Sequence, residues 1–249
     1  MARRTMSAVL ILAGLLAAGA ARAEPTPVTV RALAKDAKFI GDSMGGVEIT
    51  LKDAASGSVL AKGLTRGGTG DTARLVEQPK VRRTPVSTPD AAGFSAVLDL
   101  DRPTLVRAEA RGPLGKPDAV VTVTSMMWLL PGRGVEGDGW ILEMPGLVVE
   151  PQWSALGHGQ ASLSAKVTLM CGCPITPGGL WDASRYEVDA TLIRDGRATG
   201  RVRLTYAGSP STFSIAYPDV APGRYRLIVT AHDAGSGNSG VAEREVVVE

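Results

Sequence analysis

Residues 169 to 176 read LMCGCPIT, and Cys171 and Cys173 are the two cysteines of the chain. Three chemistries fit two sulfurs at this spacing. A disulfide would close a loop of about three residues, which the chain-entropy relation makes worth only about 1–2 kcal/mol. A pair bonded across so small a ring would exchange with other thiols, although a strand end followed by Pro174 offers no helix N-terminus to lower a thiol pKa. Reduced, the two thiolates and the Met170 thioether form a soft donor set that suits Cu(I) above harder metals. Gly172 between them lets the backbone fold tightly enough for both sulfurs to face one ion.

Other reactive groups are sparse. Gly41-Asp42-Ser43-Met44-Gly45 satisfies G-x-S-x-G and resembles the first block of the GDS-type esterases. A nucleophile elbow needs a strand, a sharp turn and a helix. Here Val47 to Leu51 alternates like a strand, and neither Gly-x-Asn-Asp nor Asp-x-x-His follows, so the segment reads as a glycine-rich loop between strands. The two histidines, His158 and His232, stand in no metal-ligand or Cys-His spacing. The Asp-Gly pairs of GDGW and RDGR are turns, because the spaced oxygen ligands of a calcium loop are missing. No enzyme is expected.

The N-terminus points to export. Arg3 and Arg4 precede an apolar run from Ala8 to Ala18, and Ala21-Arg22-Ala23 is a small-x-small cleavage site. Residues 1–23 therefore read as a signal peptide, and the product as periplasmic or secreted, with no transmembrane segment after processing. Of 27 Lys+Arg, three (Arg3, Arg4 and Arg22) lie in this leader, which leaves 24 against 25 acidic residues. A near-neutral chain with 4% aromatics has neither the basic stripe nor the stacking platform of a nucleic-acid binder. Other envelope proteins are the expected partners.

Apolar alternation dominates the rest of the chain: Val28, Val30, Ala32; Val47, Ile49, Leu51; Leu163, Ala165, Val167, Leu169; Val202, Leu204, Tyr206. With 30 glycines and 16 prolines to supply turns, the pattern predicts an all-β chain of two β-sandwich domains, 24–150 and 151–249. In the first, VEITLKDAASGSVLAKGLTRGGTGDT resembles the hairpin of transthyretin-like or carboxypeptidase-regulatory-like modules of exported bacterial proteins, which implies a non-catalytic sandwich. Residues 68–94 read as an extended surface connection, and Met126-Met127-Trp128 as core filling. In the second, DVAPGRYRLIVTAHDAGSGNSGVAEREVVVE resembles the last two strands of an immunoglobulin-like or fibronectin-like sandwich. Asp219, Gly223 and Tyr225 look like a tyrosine corner.

That resemblance places the loop 171–182 and the loop 233–240 at one end of the sandwich. His232 then ends a strand near the cysteines, and His158 lies at the opposite end. Parity sets Cys171 and Cys173 in the inward register of Leu163 to Leu169, with His232 outward of Leu227, Val229 and Ala231. Trp181 would shield the loop. The candidate metal ligands are Met170, Cys171, Cys173 and His232. Cys-x-Cys on such a fold also resembles, in outline, the copper-delivering proteins of cytochrome oxidase assembly, though those carry Cys-Phe-Cys. The expectation is an exported non-enzymatic binding protein handling Cu(I). Its alternatives are an interaction module with an oxidised Cys171–Cys173 pair and a thiol–disulfide exchange partner.

Overall fold

A computed structural model describes residues 22–248, so the expected leader falls outside the described residues through position 21. The chain is mostly β, with 60% strand and 7% helix. No helix among the described residues is long and apolar enough to cross a membrane.

Seven strands build the first half: β1 (Glu24–Ala34), β2 (Glu48–Asp53), β3 (Val59–Leu64), β4 (Phe94–Leu100), β5 (Thr104–Gly112), β6 (Val121–Leu129) and β7 (Val135–Met144). They form one sheet of order β4-β1-β7 and another of order β3-β2-β5-β6. Alternation decides which side chains face in: Val28, Val30 and Ala32 of β1, Ile49 and Leu51 of β2, and Val106, Ala108 and Ala110 of β5 are all buried. Each fully buried Val, Leu or Ile contributes about 1.5–3 kcal/mol over an exposed one. β1 runs parallel to β7, and the register shifts between Val28 and Val30. Gly137 and Gly139, both at left-handed φ, sit on the β7 side of that irregularity.

Strands β8 (Leu147–Gly157), β9 (Gln160–Leu169), β10 (Tyr186–Arg194), β11 (Arg197–Tyr206), β12 (Thr212–Tyr217), β13 (Gly223–Asp233) and β14 (Asn238–Val248) make up the second half. Their order is β14-β13-β10-β11-β12-β9-β8, and the run rolls over so that β8 also packs beside β14. The inward residues Leu163, Ala165 and Val167 of β9 meet Leu227 and Val229 of β13 in the core. The Tyr225 hydroxyl donates to the Ala221 carbonyl at 2.7 Å, closing the tyrosine corner, and Arg194 lies over its ring at 5.6 Å.

Three sequence expectations need correction. The boundary at 150/151 falls inside β8, which is unbroken from Leu147 to Gly157. The chain passes between the two halves at Pro145-Gly146, and one hydrophobic cluster spans both halves. Residues 68–94 are not simply a surface connection. Leu75, Ala91 and Ala92 bury with Phe39 in a small second core. The Arg31 guanidinium donates to the Ala91 and Ala92 carbonyls, and the Asp138 carboxylate accepts from Val86 N at 3.0 Å, Ser87 N at 2.8 Å and Ser87 Oγ at 2.7 Å. Polarity along this stretch reflects a pinned loop, with exposure concentrated in 77–85. Finally, of Met126-Met127-Trp128 only Met127 packs against the core, because β6 turns Met126 and Trp128 outward.

Candidate functional site

β9 carries the cysteine pair to the place where the two halves meet. After Leu169 the chain reverses: the Gly172 N–H donates to the Leu169 carbonyl at 2.8 Å, and Thr168 bridges to Pro174. Gly172 takes φ 79°, a left-handed conformation that a side chain would strain. Cys171 and Cys173 are joined as a disulfide with their Cα atoms 5.4 Å apart. Both are buried, as is Met170.

The cover over this turn comes from the first half. Met44 closes the 3-10 turn Asp42–Met44, inside the glycine-rich segment that mimicked an esterase block. A Cβ on Gly172 would lie 2.8 Å from the Met44 sulfur, and one on Gly146 would lie 3.3 Å from the Met170 sulfur. Only glycines let those thioethers lie against the backbone. The two motifs that looked reactive in sequence are therefore two sides of one packed contact.

Polar groups fasten the same junction. Trp181 donates from its indole nitrogen to the Asp36 carbonyl at 2.9 Å. The fully buried Asn238 donates to the Lys35 carbonyl at 3.0 Å and accepts from Gly146 N at 3.0 Å, so one amide ties β14, the end of β1 and the inter-half turn. Lys116 pairs with Glu150 at 2.8 Å, and Arg244 pairs with Asp118.

The sequence-derived ligand set is only partly gathered. Met170, Cys171 and Cys173 share the turn, and Met44 joins them. His232 does not: it is exposed on the outer face of β13, with Nδ1 3.0 Å from Ser239 Oγ, as its strand parity requires. His158 sits in the turn between β8 and β9, at the far end of β9. Among the described residues, no three His, Cys, Asp or Glu side chains converge on one point.

Sequence reasoning missed a cleft of about 510 Å³ beside this junction, lined by both halves. Leu33, Leu75 and Val76 give it apolar walls, Lys35, Lys80 and Arg185 bring positive charge, and Asp36 and Glu143 bring negative charge. At its edge, burial pushes the Asp233 carboxyl up, but hydrogen bonds from Ser236 and Gly235 and the nearby Arg185 outweigh it and hold it below the ordinary range. The Tyr186 hydroxyl is pushed well above its usual pKa, first by burial and then by Asp233 and Asp36. Junction clefts of this size are common ligand sites. No local motif announces it, since its residues are scattered from Leu33 to Ser236.

No protein family matches the chain, and neither does any curated protein. Among solved structures it is similar to the chicken interferon gamma receptor alpha chain, with TM-score 0.32 and 12% identity over 82% of this chain and 84% of that one. It is also similar to the titin domains Z1Z2 in complex with telethonin, with TM-score 0.23 and 15% identity over 91% and 89%. For β-glucuronidase 3 of Bacteroides uniformis the TM-score is 0.24 and the identity 14%, over 89% of this chain and 24% of that one. The immunoglobulin-like description rests on the strand order of β8 to β14 and on the Tyr225 corner.

Proposed function

We propose that this chain is an exported, non-enzymatic binding protein in which the Cys171–Gly172–Cys173 turn is a structural clamp. The cleft beside it is the ligand surface. One observation carries the reading: the cysteines are oxidised, buried and capped by Met44 at the seam between the two halves. A working thiol-exchange site needs an exposed sulfur, and both cysteines of this turn are buried. Disulfides persist in oxidising compartments, which supports export and envelope partners. The first half's pairing of a four- and a three-stranded sheet is of the kind expected for a transthyretin-like module.

The test is chemical access. Native protein treated with a thiol reagent and a dithiol reductant should stay unlabelled until denaturant is added. Rapid labelling without denaturant would favour exchange chemistry.

Met44 also favours a second reading. Two-electron reduction by a dithiol would release two thiols beside the Met170 and Met44 thioethers, a sulfur donor set suited to Cu(I), with His232 taking no part. Anaerobic competition with a chromophoric Cu(I) chelator on reduced protein separates the two readings. The clamp predicts equal, negligible copper retention by wild type and the Cys171→Ser/Cys173→Ser variant. The metal reading predicts retention by wild type alone.

A further inference from the structure

β6 closes the order β3-β2-β5-β6 and, among the described residues, is paired on one side only, with β5. From Val120 to Leu130 it contains no charged residue, no proline and no glycine. Natural sheets guard such edges with charges, bulges or prolines, because an unpaired row of N–H and C=O groups is a template for another strand. Other edges of this protein follow that rule. β7 carries Glu136, Asp138 and Glu143 and an irregular register, β3 carries Lys62, and β8 carries Pro151 and lies against β14. β6 is long and unguarded, and it exposes Met126 at 55%, Trp128 at 63% and Leu130 at 49%.

We propose that β6 pairs antiparallel with β6 of a second copy of this chain, about a two-fold axis at Ser125. The two four-stranded sheets then continue as one. Ser125 is the midpoint of Val121–Leu129, so this register pairs the whole strand. On the outer face it sets Thr124 against Met126 and Thr122 against Trp128; on the inner face, Val123 against Met127 and Val121 against Leu129. Aromatic and β-branched neighbours of this kind stabilise cross-strand pairs, whereas like charges oppose them.

The occupant follows from the absence of charge. A strand pairing with itself brings each residue near its own copy's neighbours, and Val120 to Leu130 meets that condition without one repulsive contact. The ends add charge complementarity. Arg133, exposed and in no ion pair among the described residues, lies at the end where the other copy presents Asp118, a carboxylate that already pairs with Arg244 of its own chain and would be shared between the two guanidinium groups. This pairing does not depend on the junction cleft or the cysteine turn, so its failure leaves the binding reading intact.

Sedimentation equilibrium of the purified protein tests it, with circular dichroism confirming that each variant folds. Wild type should approach twice the monomer mass as concentration rises. Thr124→Lys, on an exposed position, should give the monomer mass with an unchanged spectrum, and Thr124→Val should remain dimeric. A wild type monomeric at every concentration overturns the proposal, whether or not another protein captures the edge. So does a folded Thr124→Lys variant that still dimerises.

Discussion

The sulfur of Met44 rests against the bare backbone of Gly172, so the turn that holds the disulfide is shaped by a residue of the other half. Replacing Gly172 by alanine meets two penalties. Left-handed φ costs a residue with a Cβ about 1–2 kcal/mol, and forcing Met44 aside costs about 1–3 kcal/mol. Gly172→Ala should therefore destabilise by about 2–5 kcal/mol in urea melts. If the contact is as described, Met44→Ala/Gly172→Ala should lose at least about 1 kcal/mol less than the sum of the single variants, since contacting residues couple.

Loop 68–94 should depend on Asp138. Its carboxylate is the acceptor for Val86 N and Ser87 N, and Arg31 behind it anchors the Ala91 and Ala92 carbonyls. Asp138→Ala leaves those donors unsatisfied, at about 1–3 kcal/mol. Trypsin should nick the exposed Lys80 to Arg83 segment several-fold faster in this variant than in wild type.

Acid should weaken the fold through named carboxylates. Burial raises the pKa of Asp189, but hydrogen bonds from Arg201 and Arg203 outweigh it and hold it below the ordinary range. Asp138 and Asp233 are lowered likewise by their hydrogen-bond donors against burial. A carboxylate whose folded pKa is depressed binds protons more readily when unfolded. Its stability contribution is complete above the unfolded value near 4 and is lost as pH falls through the folded value. Melting temperature should be flat from neutral pH to about 5 and drop below about 4. Arg203→Ala should soften that drop, because Asp189 loses one of the donors that depress it.

The tyrosine corner makes a separable claim. Tyr225→Phe removes the donor to the Ala221 carbonyl without changing packing volume, and should cost about 1–2 kcal/mol. The corner lies far from the junction cleft, so Tyr225→Phe should leave the fluorescence of Trp181 unchanged when compared with a Trp181→Phe reference. A loss below a few tenths of a kcal/mol would contradict the corner.

Strands were legible because alternation is a one-dimensional signal: Leu163 to Leu169 and Tyr225 to Ala231 bury as their parity requires. The same parity placed His232 outward. Where a strand lies at a sheet edge the rule fails, since nothing covers the second apolar row, and Met126 and Trp128 stay exposed. The junction was illegible for another reason. Met44 with Gly172, Trp181 with Asp36 and Asn238 with Lys35 are contacts between distant segments, and none leaves a spacing to read. The boundary was misplaced for the same cause: Pro145-Gly146 is a short turn in a chain rich in such pairs, and nothing in its sequence marks it as the passage between the halves.

The clamp itself is tested most directly by chemical denaturation of wild type and Cys171→Ser/Cys173→Ser, each followed by far-ultraviolet circular dichroism and tryptophan fluorescence. A three-residue loop contributes about 1.6 kcal/mol of chain entropy, and two hydroxyls buried beneath Met44 without partners add about 1–3 kcal/mol each. Wild type should unfold in one transition with both probes coincident, and the variant should lose about 4–8 kcal/mol, its fluorescence change now preceding the loss of sheet as the halves part. A variant as stable as wild type, with both probes still coincident, would contradict the clamp.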